Sequence, residues 1–200
     1  MKRSTLFAII SFLIAAPSML MAQSSFRENH AEVGVFADYL RFDPTSPKIN
    51  FVGLGARLGV NVHPNIQLEG EMNYDFKRSY ITNSNNSATG SLVTTRLRPL
   101  TGLFGPKFQA GSSGPVRVFA TGKIGFINFS NSTGTPTGGT VGNTISNVPY
   151  GDTHVAFYPG VGLEAFAGPV GLRLDVGDEI FLSNGTHNNL RVTFGPHFRF

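Results

Sequence analysis

Cysteine and tryptophan are absent from this chain of 200 residues. The lack of cysteine excludes a disulfide framework, thiolate metal sites and a lipid-anchored N-terminal cysteine. Charged residues are also scarce, at 14% of the sequence, compared with about 25% in ordinary soluble domains. No long apolar run follows residue 22, which excludes a bundle of transmembrane helices.

The composition that remains is typical of a sheet with one apolar and one polar face. The chain contains 24 Gly and 18 Phe, and its mean hydropathy is zero. This aromatic content argues against disorder. The charges are scattered, without a run of Lys or Arg, so nucleic-acid binding is not expected.

The first 22 residues have the layout of a secretory signal peptide. Lys2 and Arg3 form a basic start, an apolar core follows over residues 6–16, and Ala22 precedes the expected cleavage point. Cleavage after Ala16 is the less favoured alternative. The core is too short to span a bilayer core of ~30 Å as a helix, which argues against an uncleaved anchor. We therefore predict a cleaved signal peptide at 1–22 and an exported domain at 23–200.

Eight segments of the exported domain alternate between apolar and polar residues. Successive side chains of a strand point to opposite faces, and a membrane-barrel strand needs about 10 residues with the apolar set outward. Phe36 and Phe119 break the alternation by falling on the polar face. The phase is also irregular before Leu100, which a β-bulge near Pro99 would explain. The segments are 32–39, 52–61, 66–76, 92–109, 116–126, 155–165, 170–177 and 190–200.

The connectors between these segments alternate in length, as in barrels with short periplasmic turns and long extracellular loops. We therefore predict an all-β fold, one eight-stranded antiparallel up-and-down transmembrane β-barrel with both ends in the periplasm. Soluble sheets also alternate, so a soluble periplasmic lipid-binding β-protein is the alternative. The short connectors are 63–65, 111–114 and 167–169, and the longer ones are 41–48, 77–91, 131–152 and 182–188.

The end of the chain carries a resemblance to a known family. Phe194, Phe198 and Phe200 share one face of the last segment. This pattern resembles the C-terminal strand signature of bacterial outer-membrane proteins, and residues 23–200 resemble the small OmpA/OmpX-like outer-membrane β-barrel family. The resemblance implies a place in the cell outer membrane, contact with lipid and lipopolysaccharide, and recognition of the three Phe residues by the barrel-assembly machinery.

A five-residue motif occurs twice in the chain. Phe-Gly-Pro-Lys-Phe at 104–108 recurs as Phe-Gly-Pro-His-Phe at 194–198. Both copies fall on descending strands near the periplasmic end. The repeat reflects either an old duplication of four strands or two solutions to one local geometry.

Charged side chains on the inward face form the main candidate site. The interior of an eight-stranded barrel is just filled by side chains, and unpaired buried charges cost several kcal/mol. We therefore predict a salt-bridge network that plugs the lumen, with a pore lining as the alternative. A further hypothesis pairs Arg57 with Glu164 across the lumen. The predicted network comprises Arg57, Glu69, Glu71, Lys107, Arg117, Lys123, Glu164, Arg173, Asp175, Arg191 and Arg199.

The expected function is a structural or adhesin-like role at the cell surface, with loops 77–91 and 130–152 free to meet an extracellular partner. A narrow channel for small polar solutes is the alternative. A lipid A-modifying enzyme would need a nucleophile beside His154, and Asp152 could orient that histidine. No spacing in the sequence identifies a nucleophile, so no enzyme is expected. The five His residues are scattered, so neither a metal site nor a cofactor is predicted.

Overall fold

The computed structural model describes residues 31–43, 49–84, 91–110, 115–133, 153–183 and 185–200. The predicted signal peptide at 1–22 lies outside these residues. No helix within them is long and apolar enough to cross a membrane. Their regular elements are strands: β1 Ala31–Phe42, β2 Ile49–His63, β3 Ile66–Asp75, β4 Arg78–Ser84, β5 Ser91–Ala110, β6 Val116–Thr133, β7 Thr153–Ala167, β8 Val170–Asp178, β9 Ile180–Leu182, β10 Thr186–His187 and β11 Asn189–Arg199.

Eight of these strands close into an antiparallel ring. Around the ring the order is β1, β2, β3, β5, β6, β7, β8 and β11, and β11 pairs with β1. The amide of Ala31 donates to the carbonyl of Phe200 at 3.0 Å, and the amide of Phe200 donates back at 2.9 Å. Closure leaves no sheet edge unpaired around the ring. The predicted fold class is confirmed.

The three remaining strands extend the ring at the end opposite the chain termini. We call that end the loop end, and the end with Ala31 and Phe200 the terminal end. β4 pairs with the first residues of β5, and β9 pairs with both β7 and β10. The prediction of a loop throughout 77–91 is therefore wrong, because the ladder continues there and pairs backbone groups that water would otherwise have to satisfy. Likewise β6 runs on to Thr133, and residues 85–90 and 134–152 lie outside the described part.

The outward face of the ring is apolar and exposed. Leu58, on β2, is 60% exposed, and Val161, on β7, is 62% exposed. Contiguous exposed apolar surface of this kind is rare on soluble monomers. It is the surface that a membrane barrel presents to lipid.

The irregular phase near Pro99 has a different origin from the predicted bulge. β5 pairs with β6 without a slip on either side of Pro99. On the other side of β5, Tyr74 of β3 pairs with Leu100. Arg78 of β4 pairs with Leu97, so the β3–β4 side contains one residue more than β5 between these two pairs. The prediction of a bulge in β5 is wrong, since the extra residue lies in the neighbouring strand. A proline without an amide hydrogen is tolerated beside such an interruption.

The repeated motif adopts one local geometry in both copies. A Cβ atom on Gly105 would collide with the carbonyl oxygen of Gly122, and a Cβ atom on Gly195 would collide with that of Val35. In each copy, the ladder to that neighbouring strand skips the Gly-Pro pair. A glycine is therefore needed at each position because the neighbouring backbone approaches closely. This supports the interpretation that the two copies are two solutions to one local geometry, and not the remains of a four-strand duplication.

Candidate functional site

The inward face of the ring places the predicted charges in the lumen. Arg199 differs from the others, because it lies at the rim of the terminal end, where its Nε donates to the carbonyl of Gly168 at 3.0 Å. The other ten are buried: Arg57, Glu69, Glu71, Lys107, Arg117, Lys123, Glu164, Arg173, Asp175 and Arg191.

Arg191 of β11 holds together the acidic groups in the half of the lumen toward the loop end. Its Nε donates to Asp38 at 2.8 Å, and its Nη1 donates to Glu71 at 2.9 Å. The same Nη1 lies 3.4 Å from Glu179. Lys123 donates to the second carboxylate oxygen of Glu71 at 2.7 Å. One guanidinium therefore joins carboxylates from three parts of the ring, two of them through charge-assisted hydrogen bonds and the third as an ion pair.

Arg173 of β8 has the same role toward the terminal end. It forms a two-point contact with Glu69, with Nη2 at 3.1 Å and Nη1 closer still. Its Nη2 also donates to Asp175 at 2.9 Å, and its Nη1 lies 3.2 Å from Glu164. Lys107 donates to Glu164 at 2.7 Å. The two-point geometry fixes the guanidinium plane, which makes Arg173 a rigid cross-link between β8 and β3.

The hypothesised pair between Arg57 and Glu164 is wrong. Arg57 lies 3.4 Å from Glu71, its direct cross-strand partner on β3, and donates to Thr193 at 3.1 Å. Glu164 instead contacts Lys107 and its own cross-strand partner on β8. Directly opposed residues on neighbouring strands lie closest, so Arg57 and Glu164 each contact their own cross-strand partner, Glu71 and Arg173, and not each other.

Two aromatic rings lie among these charges. Phe36 and Phe119 are both 4% exposed, and both face the lumen. The guanidinium carbon of Arg57 lies 4.4 Å from the centre of the Phe36 ring, and that of Arg173 lies 4.0 Å from the Phe119 ring. Cation–π contact is favourable where the cation is desolvated. The two phenylalanines that break the alternation are therefore lumen residues whose rings contact arginine side chains.

A glycine lies directly across the ladder from each of these rings. Phe36 pairs with Gly55, and Phe119 pairs with Gly162. A Cβ atom on either glycine would collide with the opposite ring. An inward Phe opposite a Gly on the neighbouring strand is a signal that was present in the sequence, but it becomes readable only once the strand register is known.

A layer of four phenylalanines at the loop end was not predicted. Phe42, Phe51, Phe129 and Phe181 are fully buried, and we call them the aromatic seal. The ring of Phe42 lies 5.6 Å from Phe129 and 5.8 Å from Phe181, centre to centre. Three of these residues follow or precede the predicted alternating segments in the inward phase, so extending the segments would have found them. The fourth, Phe181, lies between the predicted segment 170–177 and the predicted connector 182–188.

Four buried carboxylates were also missing from the predicted set, although three of them fall on the polar face of the alternation. Asn73 donates to Asp38 at 2.8 Å and lies 3.4 Å from Asp75. Thr101 donates to Glu179 at 2.9 Å. These contacts extend the polar network up to the aromatic seal. The four residues are Glu32, Asp38, Asp75 and Glu179.

The described contacts of His154 are with a backbone group and aromatic rings. Its Nδ1 lies 3.1 Å from the carbonyl of Leu182, and its ring is 6.3 Å from that of Phe129. Asp152 lies outside the described residues. Within the described part of the chain, no serine or threonine hydroxyl forms a hydrogen bond with His154. The absence of an enzymatic role stays a prediction.

The predicted assembly signal lies at the end of β11. Phe194 and Phe198 point outward and are 53% and 50% exposed, and Phe200 pairs through its backbone with Ala31. Both outward rings therefore belong to the lipid-facing surface. Their recognition by an assembly machinery stays a prediction.

Three solved outer-membrane barrels have a similar fold. Ail of Yersinia pestis, solved in complex with the heparin analogue sucrose octasulfate, is 14% identical, with a TM-score of 0.50 over 86% of this chain and 97% of Ail. Neisserial surface protein A is 8% identical, with a TM-score of 0.54 over 85% of this chain and 97% of that one. A major outer membrane protein of Thermus thermophilus is 11% identical, with a TM-score of 0.50 over 85% of this chain and 99% of that one.

At these identities, the likeness is one of fold. No protein-family model matches the sequence, and no curated protein matches it. The structural likeness confirms that this chain has the fold of the small OmpA/OmpX-like outer-membrane barrels that its sequence resembles.

Proposed function

We propose that the protein is an integral outer-membrane barrel with a plugged lumen, which acts at the cell surface through its loops. The observation that carries this proposal is the content of the lumen. At the loop end the four rings of the aromatic seal are fully buried, and beneath them the charges are engaged in ion pairs. A narrow barrel filled in this way offers little space for a solute, so the chemistry available to a partner is that of the loops.

Two kinds of partner fit this proposal. The outward apolar face suits membrane lipid. At the loop end of that face, Arg98 donates to the hydroxyl of Tyr74 at 2.9 Å and lies 5.0 Å above the same ring. An arginine anchored on an interfacial aromatic ring is well placed to meet the phosphates of lipopolysaccharide. The barrel-assembly machinery would meet the same lipid-facing surface at Phe194 and Phe198.

The surface role draws support from one comparison. Ail is named as an attachment and invasion protein, and it was solved with a heparin analogue. Residues 85–90 and 134–152 of this chain connect strands at the loop end, where a barrel of this kind meets the outside. We propose these segments as the contact region, together with the strand ends at 78–84 and 130–133.

Deletion of residues 136–150 tests the surface role. Cells that display the unmodified chain are expected to bind immobilised heparin more strongly than cells with the shortened chain. Both chains should show the same mobility shift between boiled and unboiled samples on detergent gels, since the ring is untouched. Equal binding by the two chains would contradict an adhesive role for this segment.

Conductance in planar bilayers tests the plugged lumen. The unmodified protein is expected to give no steady current, whereas the variant Phe42→Ala/Phe129→Ala/Phe181→Ala should leak, because truncation removes most of the aromatic seal. Phe194→Ala is the matched control, since it removes an outward ring. A steady current through the unmodified protein would favour the narrow channel instead. Loss of lipid A acyl chains on expression would establish the enzyme alternative.

A further inference from the structure

One histidine and two glutamates meet inside the terminal end of the lumen. Glu32 comes from β1, Glu164 from β7 and His197 from β11, and each offers one ligand atom within 4.8 Å of the other two. Their exposed fractions are 6%, 0% and 3%. β11 pairs with β1 to close the ring, and β8 lies between β11 and β7, so this cluster depends on barrel closure and was not predicted.

Several polar atoms of this cluster have no hydrogen-bond partner. They are both ring nitrogens of His197, Oε1 of Glu32 and Oε2 of Glu164. Buried polar groups are nearly always satisfied, so each exception needs an explanation such as a bound ion or water. A buried imidazole that neither donates nor accepts a hydrogen bond has a free ligand nitrogen in place.

Packing holds the imidazole where it is. The ring of Phe166 meets it edge-on, with the ring centres 4.7 Å apart and an angle of 86° between the planes. On another side lies Gly171, where a Cβ atom would come within 2.7 Å of the Cε1 and Nε2 atoms of His197. The ring is therefore positioned by its shape and not by hydrogen bonds, which leaves both nitrogens available.

The lysine and arginine side chains around the cluster mainly contact the two carboxylate oxygens that do have hydrogen-bond partners. Lys107 lies 2.7 Å from Oε1 of Glu164 and 3.3 Å from Oε2 of Glu32. Arg173 also contacts Oε1 of Glu164, at 3.2 Å. On the free side, Arg117 lies 3.6 Å from Oε1 of Glu32. A metal ion at the free oxygens would compete with Arg117 and feel repulsion from Lys107, so its affinity should be modest and should fall at acid pH, as the ligands take up protons.

We propose that Glu32, Glu164 and His197 form a zinc site inside the terminal end of the barrel. One imidazole and two carboxylates match the nitrogen and oxygen ligands that Zn²⁺ takes, with a fourth position left for water. Bound zinc would tie β7 to β1 and β11 across the lumen. This inference stands apart from the proposed surface role, because it concerns the opposite end of the molecule.

The test is a titration of the full exported chain, refolded in detergent, with Zn²⁺ followed by calorimetry. The variant His197→Gln is expected to bind at least tenfold more weakly than the unmodified chain. The control carries His30→Gln, His63→Gln, His154→Gln and His187→Gln together, and it should bind zinc as the unmodified chain does. Co²⁺ supplies a second readout, since ligation by His197 should produce a visible absorption band that the His197→Gln variant lacks.

A variant that merely misfolds is identified by its gel mobility. If His197→Gln does not shift between unboiled and boiled samples, Glu32→Gln takes its place, with the same tenfold loss expected. Zinc should also raise the temperature at which the unmodified chain loses its fast-migrating form, and this rise should be absent in the variant. The proposal is overturned if the unmodified chain binds no zinc, or if binding survives unchanged in the folded variant.

Discussion

Replacement of Arg191 by methionine is expected to lower the free energy of unfolding by about 3–5 kcal/mol, the cost of removing one partner of a buried ion pair. Arg191 has no exposed surface, and it contacts Asp38, Glu71 and Glu179 at 2.8, 2.9 and 3.4 Å. The methionine fills similar space but leaves three carboxylates facing one another at low dielectric. Of these three carboxylates, Glu71 keeps Lys123 and Arg57 as cationic partners.

The measurement for Arg191→Met is equilibrium unfolding by urea in lipid vesicles. Because the chain contains no tryptophan, the folded fraction is best read from the mobility difference on detergent gels. Arg41→Met is the matched control, since the Arg41–Asp43 pair is 44% and 39% exposed and such pairs contribute less than about 1 kcal/mol. Similar losses for the two variants would mean that water reaches the lumen network and screens it.

A charge placed at mid-height on the outward face should be the second most costly change. Leu58→Arg is expected to destabilise the folded barrel by about 2–4 kcal/mol, the range for arginine at the bilayer midplane. Leu58 lies near the middle of the outward apolar run 52–62 of β2 and is 60% exposed. The cost comes from moving a guanidinium into hydrocarbon, and no lumen contact is disturbed.

The control for Leu58→Arg is Val62→Arg on the same strand. Val62 is 56% exposed but lies one residue from the end of β2, where arginine is expected to cost about 0–1 kcal/mol because its head group reaches the interface. Both variants are measured by urea unfolding in vesicles. If Leu58→Arg proves as harmless as Val62→Arg, the outward face does not lie in lipid and the membrane assignment fails.

The alternation of apolar and polar residues predicted most of the fold, because the face to which a side chain points depends on its position within its own strand. In β11, every second side chain from Arg191 to His197 is buried, as its period of two predicts. Connector lengths then set the strand order. The prediction failed where two strands interact, as at Pro99, because a register depends on both partners and the extra residue lay on the β3–β4 side.

The candidate site could be predicted only as a set of residues. Arg57 and Glu164 were correctly placed on the inward face, yet they do not pair, because each contacts its own cross-strand partner on a neighbouring strand, Glu71 and Arg173. The aromatic seal and the zinc cluster were missed for a related reason. Phe181 lies on a short strand beyond the predicted segments, and His197 was one of five scattered histidines until closure brought it to Glu32 and Glu164.

The sequence by itself therefore determined which side chains of each strand face inward and how the strands follow one another, because both depend on short-range periodicity and on turns. Only the tertiary structure decided which charges pair, where the aromatic seal closes the lumen and which residues converge on His197. Those contacts join strands far apart in the chain, and their geometry depends on the stagger and tilt that closing the ring imposes on all eight strands at once.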